Sequence, residues 1–80
     1  MVNETVVRFA SMQEEAVATL AGDKDARELQ EALTEFYPFL ANATFTESID
    51  EVYNEETDAY ITVKTVVFAE KYGTKGLFSL

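Results

Sequence analysis

The fold that this sequence predicts is decided by residues 59–68, AYITVKTVVF. β-Branched and aromatic residues fill this run, and such residues favour strands. Apolar side chains occur at both odd and even positions: Ile61, Val63 and Val67 on one face, and Tyr60, Val66 and Phe68 on the other. A strand that is apolar on both faces is expected in the interior of a sheet. The rest of the chain is therefore interpreted by how it surrounds this strand.

A second strand is predicted just before it, over residues 43–49, ATFTESI, with Phe45 and Ile49 on one side. We expect this strand to run out at residues 50–53. The next stretch, 54–58, has the sequence NEETD, whose Asn and Asp are typical of turns. The two strands are therefore expected to be joined by a tight, polar connection.

The N-terminal part predicts a strand over residues 5–10, TVVRFA, in which Val7 and Phe9 share one face. Residues 16–20, AVATL, form a weaker candidate strand. The good helix formers in residues 12–20 favour a helix instead, and local sequence leaves both possibilities open. Consistency with a single sheet favours the strand.

The clearest helix begins after Gly22. Asp25 is the expected N-cap, with Glu28 three residues later in capping-box spacing. One apolar stripe is predicted to contain Ala26, Leu29, Leu33 and Phe36. Pro38 lacks an N–H and disfavours helical angles in Tyr37, so the helix is expected to end there, followed by a linker over residues 39–42.

The predicted order is β-β-α-β-β. One amphipathic helix must lie on one face of the sheet, which gives a two-layer α+β domain. If the last strand neighbours the first, the result is a ubiquitin-like β-grasp, with one helix packed on a four-stranded mixed sheet. We assign this domain to residues 1–72 and a flexible, glycine-containing C-terminal tail to residues 73–80.

Composition excludes several classes of function. The 80 residues include neither Cys nor His, which excludes thiolate catalysis, zinc fingers and histidine acid–base chemistry, and no metal or cofactor is predicted. The net charge of −9 repels phosphates, so direct nucleic-acid binding is not expected. Without a signal-peptide pattern or a long apolar run, the expected location is the cytoplasm, away from membranes. A chain this short gains stability from association, so a homodimer is one possibility.

Six carboxylates are concentrated near the predicted turn: Glu47, Asp50, Glu51, Glu55, Glu56 and Asp58. They lack the spacing and the central Gly of a calcium loop, and no basic residue lies among them. The simplest interpretation is the solvated tip of a hairpin. Two alternatives are a docking patch for a partner protein and an acidic mimic of nucleic acid that inhibits or regulates a basic DNA-binding protein. A structural or assembly module is a further alternative.

A second candidate site lies beyond the last predicted strand: Gly73, Thr74, Lys75 and Gly76. It lacks the length and the Lys-Ser/Thr pair of a phosphate-binding P-loop. It could be a simple turn or flexible tail, or a slim tail that enters a narrow enzyme groove, because glycine has no Cβ. Nearby aromatic residues could add to a docking surface: Phe68, Tyr72 and Phe78.

The helix end and following strand, FYPFLANAT at residues 36–44, together with the terminal GTKG at residues 73–76, resemble PRTRC-system protein C and the related prokaryotic ubiquitin-like proteins. The resemblance covers about the last two-thirds of the chain. It implies a β-grasp protein without catalysis of its own, which acts by binding proteins or by attachment to them.

The resemblance also implies partners: an E1-like adenylating enzyme, an E2-like protein and a JAB-type metallopeptidase. Gly76 would then supply the carboxylate for adenylation or conjugation. Four residues, 77–80, follow Gly76 and would have to be removed first.

Overall fold

The computed structural model describes residues 1–11 and 15–70, in which four strands, one α-helix and a short 3-10 helix form a two-layer α+β structure. No helix within those ranges is long and apolar enough to cross a lipid bilayer. The predicted order of strands and helix is confirmed. In chain order the elements are β1 (Glu4–Phe9), β2 (Ala18–Ala21), α1 (Ala26–Thr34), the 3-10 helix (Pro38–Asn42), β3 (Ala43–Asn54) and β4 (Ala59–Glu70).

The four strands form one mixed sheet in the order β2-β1-β4-β3. β1 and β4 are parallel, with Val7 opposite Val66, whereas β1–β2 and β3–β4 are antiparallel. The interior position predicted for residues 59–68 is therefore confirmed for residues 63–68, which lie between β1 and β3, whereas residues 59–62 have a ladder partner only in β3 among the described residues. A parallel pair formed by the first and last strands, with one helix on the sheet, is compatible with a small β-grasp-like fold.

The core lies between α1, the 3-10 helix and the half of the sheet that they cover. Its buried members are Val7, Phe9, Ala26, Leu40, Val66 and Phe68. Leu29 and Leu33 of the helix and Phe45 of β3 pack against this cluster. Each large apolar side chain that is fully buried stabilises the fold by about 1.5–3 kcal/mol.

Thr5 fixes the connection between β2 and α1. Its side chain is fully buried, and its hydroxyl donates to the carbonyl of Gly22 (2.8 Å) while accepting from the backbone N–H of Lys24 (3.0 Å). Gly22 has a φ of +83°, a left-handed conformation that glycine adopts without steric cost. The connection therefore turns at Gly22, and the hydroxyl of Thr5 helps to hold it on the sheet, together with the bond from the N–H of Gly22 to the carbonyl of Asn3.

The helix begins as predicted but ends earlier. Asp25 caps it by accepting from the N–H of Glu28 (3.1 Å). The N–H groups of Phe36 and Tyr37 both donate to the carbonyl of Leu33, which closes the helix at its last turn. Phe36 is 73% exposed, so its assignment to the apolar stripe is wrong. Tyr37 packs instead against Phe9, with ring centroids 5.0 Å apart.

The predicted linker over residues 39–42 is part of the 3-10 helix Pro38–Asn42, so that prediction is corrected. Leu40 is fully buried there. The side-chain amide of Gln30 donates to the carbonyls of Leu40 (2.6 Å) and Ala43 (3.0 Å). This amide ties α1 to the start of β3, and the carbonyl of Leu40 also accepts from the backbone N–H of Ala43.

Two strand predictions are resolved by pairing across the sheet. Residues 18–21 form a strand that pairs with β1, so the competing helix is wrong for these residues. Residues 12–14 lie outside the described residues. β3 does not run out at residue 50 but continues to Asn54, because β4 supplies a partner for every residue up to the pair Asn54–Ala59. The turn is confirmed over residues 55–58.

Candidate functional site

The β3–β4 hairpin projects beyond the rest of the sheet. β1 is paired with β4 only from Glu4, which lies opposite Val63. We call residues 51–62, which lie beyond this point, the arm. Asn3 marks its base: its N–H donates to the carbonyl of Thr62, and its side-chain oxygen accepts from the N–H of Thr62, both at 2.8 Å. The arm is therefore a two-stranded ribbon without a third strand among the described residues.

Hydrogen bonds order the tip of the arm. The carbonyl of Asn54 accepts from the N–H of Asp58 (2.8 Å), and its side-chain oxygen accepts from the N–H of Glu56 (2.9 Å). Asp58 has a φ of 57°, a left-handed conformation that Asp tolerates better than most residues. The hydroxyl of Tyr53 donates to the Asp58 carboxylate. A two-stranded ribbon is only marginally stable by itself. These hydrogen bonds give this ribbon a defined shape.

Three apolar side chains lie exposed on one face of the hairpin, and we call them the exposed apolar face: Ile49, Tyr53 and Tyr60, which are 61%, 46% and 69% exposed. Tyr53 and Tyr60 lie directly opposite each other, with ring centroids 5.4 Å apart in an edge-to-face arrangement. Ile49 lies four residues before Tyr53 and therefore points to the same side. This is also the side of the sheet on which α1 packs, because Phe45 belongs to the same row.

The exposure follows from the lengths of the elements. α1 has nine residues, which corresponds to about 13 Å of helix. β3 and β4 have 12 residues each, which corresponds to about 40 Å of strand. Asp23, in the connection that leads into the helix, contacts Lys64. The helix itself packs over the half of the sheet that contains Val7, Val66 and Phe68. The half that carries the exposed apolar face is left without a helix among the described residues.

The six predicted carboxylates lie along the same hairpin, and all are exposed. Three of them are in β3 rather than at the tip. Alternation along the strand places Glu47 and Glu51 on the side of the exposed apolar face, and Asp50 on the opposite side. The turn carries the other three: Glu55, Glu56 and Asp58. Glu51 lies between Ile49 and Tyr53 in one row, so apolar and acidic groups are interleaved.

Lys64 engages one of these carboxylates. Its ammonium group lies 3.0 Å from Oδ1 of Asp23 and 3.5 Å from Oε2 of Glu47, and its side chain is only 12% exposed. The hydrogen bond to Asp23, with the charges of both carboxylates, raises the pKa of Lys64 above its usual value, although burial opposes this. Glu47 is therefore partly neutralised, whereas Glu51 and the turn carboxylates face solvent.

Tyr53 has a perturbed acidity. Its hydrogen bond to Asp58 raises the pKa of the phenol, because ionisation would break the bond and place two negative charges together. The same hydrogen bond and the edge-to-face contact with Tyr60 hold the ring on the exposed apolar face.

A separate groove lies at the other end of the sheet, lined by Phe9, Ala10, Ser11, Phe39, Phe68, Ala69 and Glu70. Its lining is largely apolar, and Glu70 is the carboxylate among the described residues that line it. Within residues 1–11 and 15–70, no three carboxylates converge as the ligands of a metal ion would.

The other predicted site residues have different outcomes. Gly73, Thr74, Lys75 and Gly76 lie outside the described residues, as do Tyr72 and Phe78. Phe68 is 1% exposed, so its predicted contribution to a docking surface is wrong: it packs against Phe45 in the core, with ring centroids 5.9 Å apart.

Sequence reasoning missed the exposed apolar face as a candidate site. Tyr53 and Tyr60 flank the predicted turn almost symmetrically, which places them opposite each other in a hairpin. That symmetry was the available signal. Their exposure depends on the position of the helix, which no local pattern contains.

Comparison with family models, with curated proteins and with solved structures found no match to this chain.

Proposed function

We propose that this protein acts by binding another protein through the β3–β4 hairpin and has no chemistry of its own. The observation that carries the proposal is the exposed apolar face, where Ile49, Tyr53 and Tyr60 present large side chains to solvent. Aromatic residues that lie together on a surface are enriched at the centres of protein interfaces. The arm adds a defined shape, since Tyr53 is held both by Tyr60 and by Asp58.

The charge of the hairpin indicates the kind of partner. No Lys or Arg occurs between Arg27 and Lys64. Glu47 and Glu51 lie on the side of the exposed apolar face, and three further carboxylates lie at the turn beyond it: Glu55, Glu56 and Asp58. Like charges suppress wrong partners and opposite charges accelerate association. The partner is therefore expected to present an apolar surface bordered by basic residues.

The test compares variants of the exposed apolar face with a matched surface variant. Proteins that bind the wild-type chain in extracts of the cells that produce it are purified, and each is titrated against Ile49→Ser, Tyr60→Ser and the control Thr44→Ser. Thr44 is exposed on β3 but lies far from the arm. We expect the two face variants to weaken binding about tenfold or more and the control to leave it unchanged.

Equal binding by Ile49→Ser, Tyr60→Ser and wild type would reject the proposal. The acidic nucleic-acid mimic makes the opposite prediction for these variants. Binding to a basic DNA-binding protein would then depend on the carboxylates and on salt concentration, and Tyr60→Ser would have no effect.

The finer proposal is that the protein is a ubiquitin-like β-grasp protein of a PRTRC-type system in the cytoplasm. The strand order β2-β1-β4-β3 supports it, together with the sequence resemblance at residues 36–44 and 73–76. In that system the tail at Gly73–Gly76 would be read by E1-like, E2-like or JAB-type partners.

Intact mass spectrometry tests this finer proposal separately from the hairpin. The protein is incubated with an E1-like enzyme of a PRTRC system and ATP, with and without the JAB-type peptidase. Loss of residues 77–80, or an adenylate or protein adduct at Gly76, would support the proposal. An unchanged mass in every mixture would contradict it.

A further inference from the structure

We infer that the outer edge of β3 binds an extended, basic segment of the partner as a fifth strand of the sheet. This inference rests on the proposed function and specifies how the hairpin binds. Addition of a strand to an exposed sheet edge is a common mode of peptide recognition, in which main-chain hydrogen bonds supply affinity and alternate side chains supply specificity.

β3 has the properties that such a mode requires. It is the terminal strand of the sheet, it has 12 residues, and it contains no Pro. Its register with β4 is continuous from Ala43 to Asn54, so no bulge bends the edge away. The opposite edge, β2, has only four residues and ends just before the turn at Gly22. A long edge with continuous register is the better template for pairing.

Hydrogen bonds in the sheet show which backbone groups of β3 point outward. The carbonyls of Thr62 and Phe68 accept hydrogen bonds from the N–H groups of Asn3 and Ala10, which flank β1. The backbone N–H and C=O groups of the even residues of β4 therefore point towards β1, and those of the odd residues point towards β3. The odd residues of β4 lie opposite the even residues of β3, as Val63 lies opposite Asp50. The N–H and C=O groups that point away from the sheet therefore belong to the odd residues of β3: Phe45, Glu47, Ile49, Glu51 and Tyr53.

The side chains of this outward row define the partner. They alternate between acidic and apolar in the order Glu47, Ile49, Glu51, Tyr53 on one face of the sheet. A strand that pairs with them would place its own side chains opposite on that face. On this face, the complementary segment therefore has a Lys or Arg opposite each Glu and an apolar residue opposite Ile49 and Tyr53. On the other face it has a further basic residue for Asp50.

Charge argues against a second copy of this chain as the occupant. In an antiparallel pairing of two β3 strands centred on Ile49, Glu47 of each copy would face Glu51 of the other. Centring on Asp50 would bring the two Asp50 side chains together. Like charges directly opposite each other in a ladder are destabilising. The carboxylates thus disfavour self-association in these two registers, whereas a basic strand would meet opposite charges at the same positions.

The test uses one defined peptide and a matched pair of variants. The peptide is a blocked nonapeptide in which lysine and valine alternate at every second position, with one lysine for Asp50 and threonine at the other positions between them. Glu51→Gln removes the charge but keeps the outward N–H, whereas Glu51→Pro removes both. We expect Glu51→Gln to weaken binding several-fold and Glu51→Pro to weaken it about tenfold further. Circular dichroism and urea unfolding verify that both variants are folded.

Hydrogen exchange of the wild-type protein supplies an independent readout if Glu51→Pro fails to fold. The amides of Ile49 and Glu51 are expected to exchange rapidly in the free protein and to slow about tenfold at peptide saturation, while those of Ser48 and Asp50 remain protected throughout. A scrambled peptide of the same composition, with its lysines adjacent, should produce no protection.

Three results would overturn the inference: equal affinities of Glu51→Gln and Glu51→Pro, equal protection by the scrambled peptide, or absence of binding by the wild type. Protection of the odd amides that rises with protein concentration in the absence of peptide would also overturn it, in favour of a second copy. The proposed function is tested separately by Ile49→Ser and Tyr60→Ser against a purified partner. If Ile49→Ser and Tyr60→Ser lose binding to the purified partner while Glu51→Pro has no effect, the proposed function is retained and strand addition is rejected.

Discussion

Nζ of Lys64 lies 3.5 Å from Oε2 of Glu47 across the β3–β4 ladder. The two residues are diagonal neighbours, since Lys64 pairs directly with Ile49. Lys64 also reaches Asp23 before α1, so one side chain joins the outer strand, an inner strand and the connection to the helix. Glu47 therefore contributes to the stability of the sheet, which distinguishes it from the carboxylates of the turn.

Replacement of Lys64 by Met should lower the free energy of unfolding by about 0.5–1 kcal/mol at pH 7, since Asp23 and Glu47 are partly screened by solvent. The pKa of Lys64 is raised in the folded state. The stabilisation that Lys64 contributes is thus complete below the pKa of an unfolded lysine, about 10.4. It is lost as the pH rises through the pKa of Lys64 in the folded protein. Urea unfolding should show the difference between wild type and Lys64→Met shrinking above that pH. Lys24→Met, on an exposed position, serves as the control, and a difference independent of pH would contradict this account.

Tyr53 should ionise at a higher pH than a tyrosine in a model peptide, because its hydroxyl donates to Asp58. The stabilisation from this bond is present below the ordinary tyrosine pKa of about 10 and is lost as the pH rises through the raised value. Ultraviolet difference titration of wild type against Tyr53→Phe isolates this residue. Asp58→Asn should return the pKa of Tyr53 towards its ordinary value, and an unchanged titration of Tyr53 in that variant would show that Asp58 is not the cause.

Thr5→Val should destabilise the protein by about 2 kcal/mol. The substitution keeps the shape of the side chain but removes the hydroxyl, so the carbonyl of Gly22 and the N–H of Lys24 lose a buried partner. Chemical denaturation measures the change. Thr19→Val, on an exposed position of β2, is the matched control and should change stability by less than about 0.5 kcal/mol. Similar effects at both positions would contradict the role assigned to Thr5.

Leu40→Ala and Phe36→Ala should differ sharply, although both residues lie between α1 and β3. Leu40 is fully buried, and its truncation should cost about 2–5 kcal/mol. Phe36 is 73% exposed, so its truncation should cost less than about 0.5 kcal/mol. Denaturant midpoints measured under the same conditions give the comparison. A larger loss from Phe36→Ala would restore Phe36 to the apolar stripe that the sequence predicts.

The sequence predicted well wherever the signal was local. Asp25 and Glu28 identify the start of the helix because the cap is a bond between residues three apart. The run from Ala59 identifies an interior strand because its apolar residues alternate onto both faces. The acidic turn is likewise readable, since Asn54 bonds within its own segment.

The candidate site was predicted only in part. The sequence pointed to the carboxylates of the hairpin but not to Ile49, Tyr53 and Tyr60 as exposed residues. It predicted that β3 ends early, because polar residues from Asp50 onward are weak strand formers. Pairing with β4 overrides that preference by supplying hydrogen bonds along the whole length of β3.

The sequence by itself determined the start of α1, the acidic turn and the order of the strands and the α-helix, because capping, turns and periodicity act over a few residues. It did not determine the 3-10 helix or the length of β3. Only the tertiary structure decided which apolar side chains are covered. A nine-residue helix rises about 1.5 Å per residue and cannot span strands that rise about 3.3 Å per residue over 12 positions. Phe68 and Tyr60 belong to the same strand and the same face, yet one is in the core and the other in solvent, according to which part of the sheet the helix reaches.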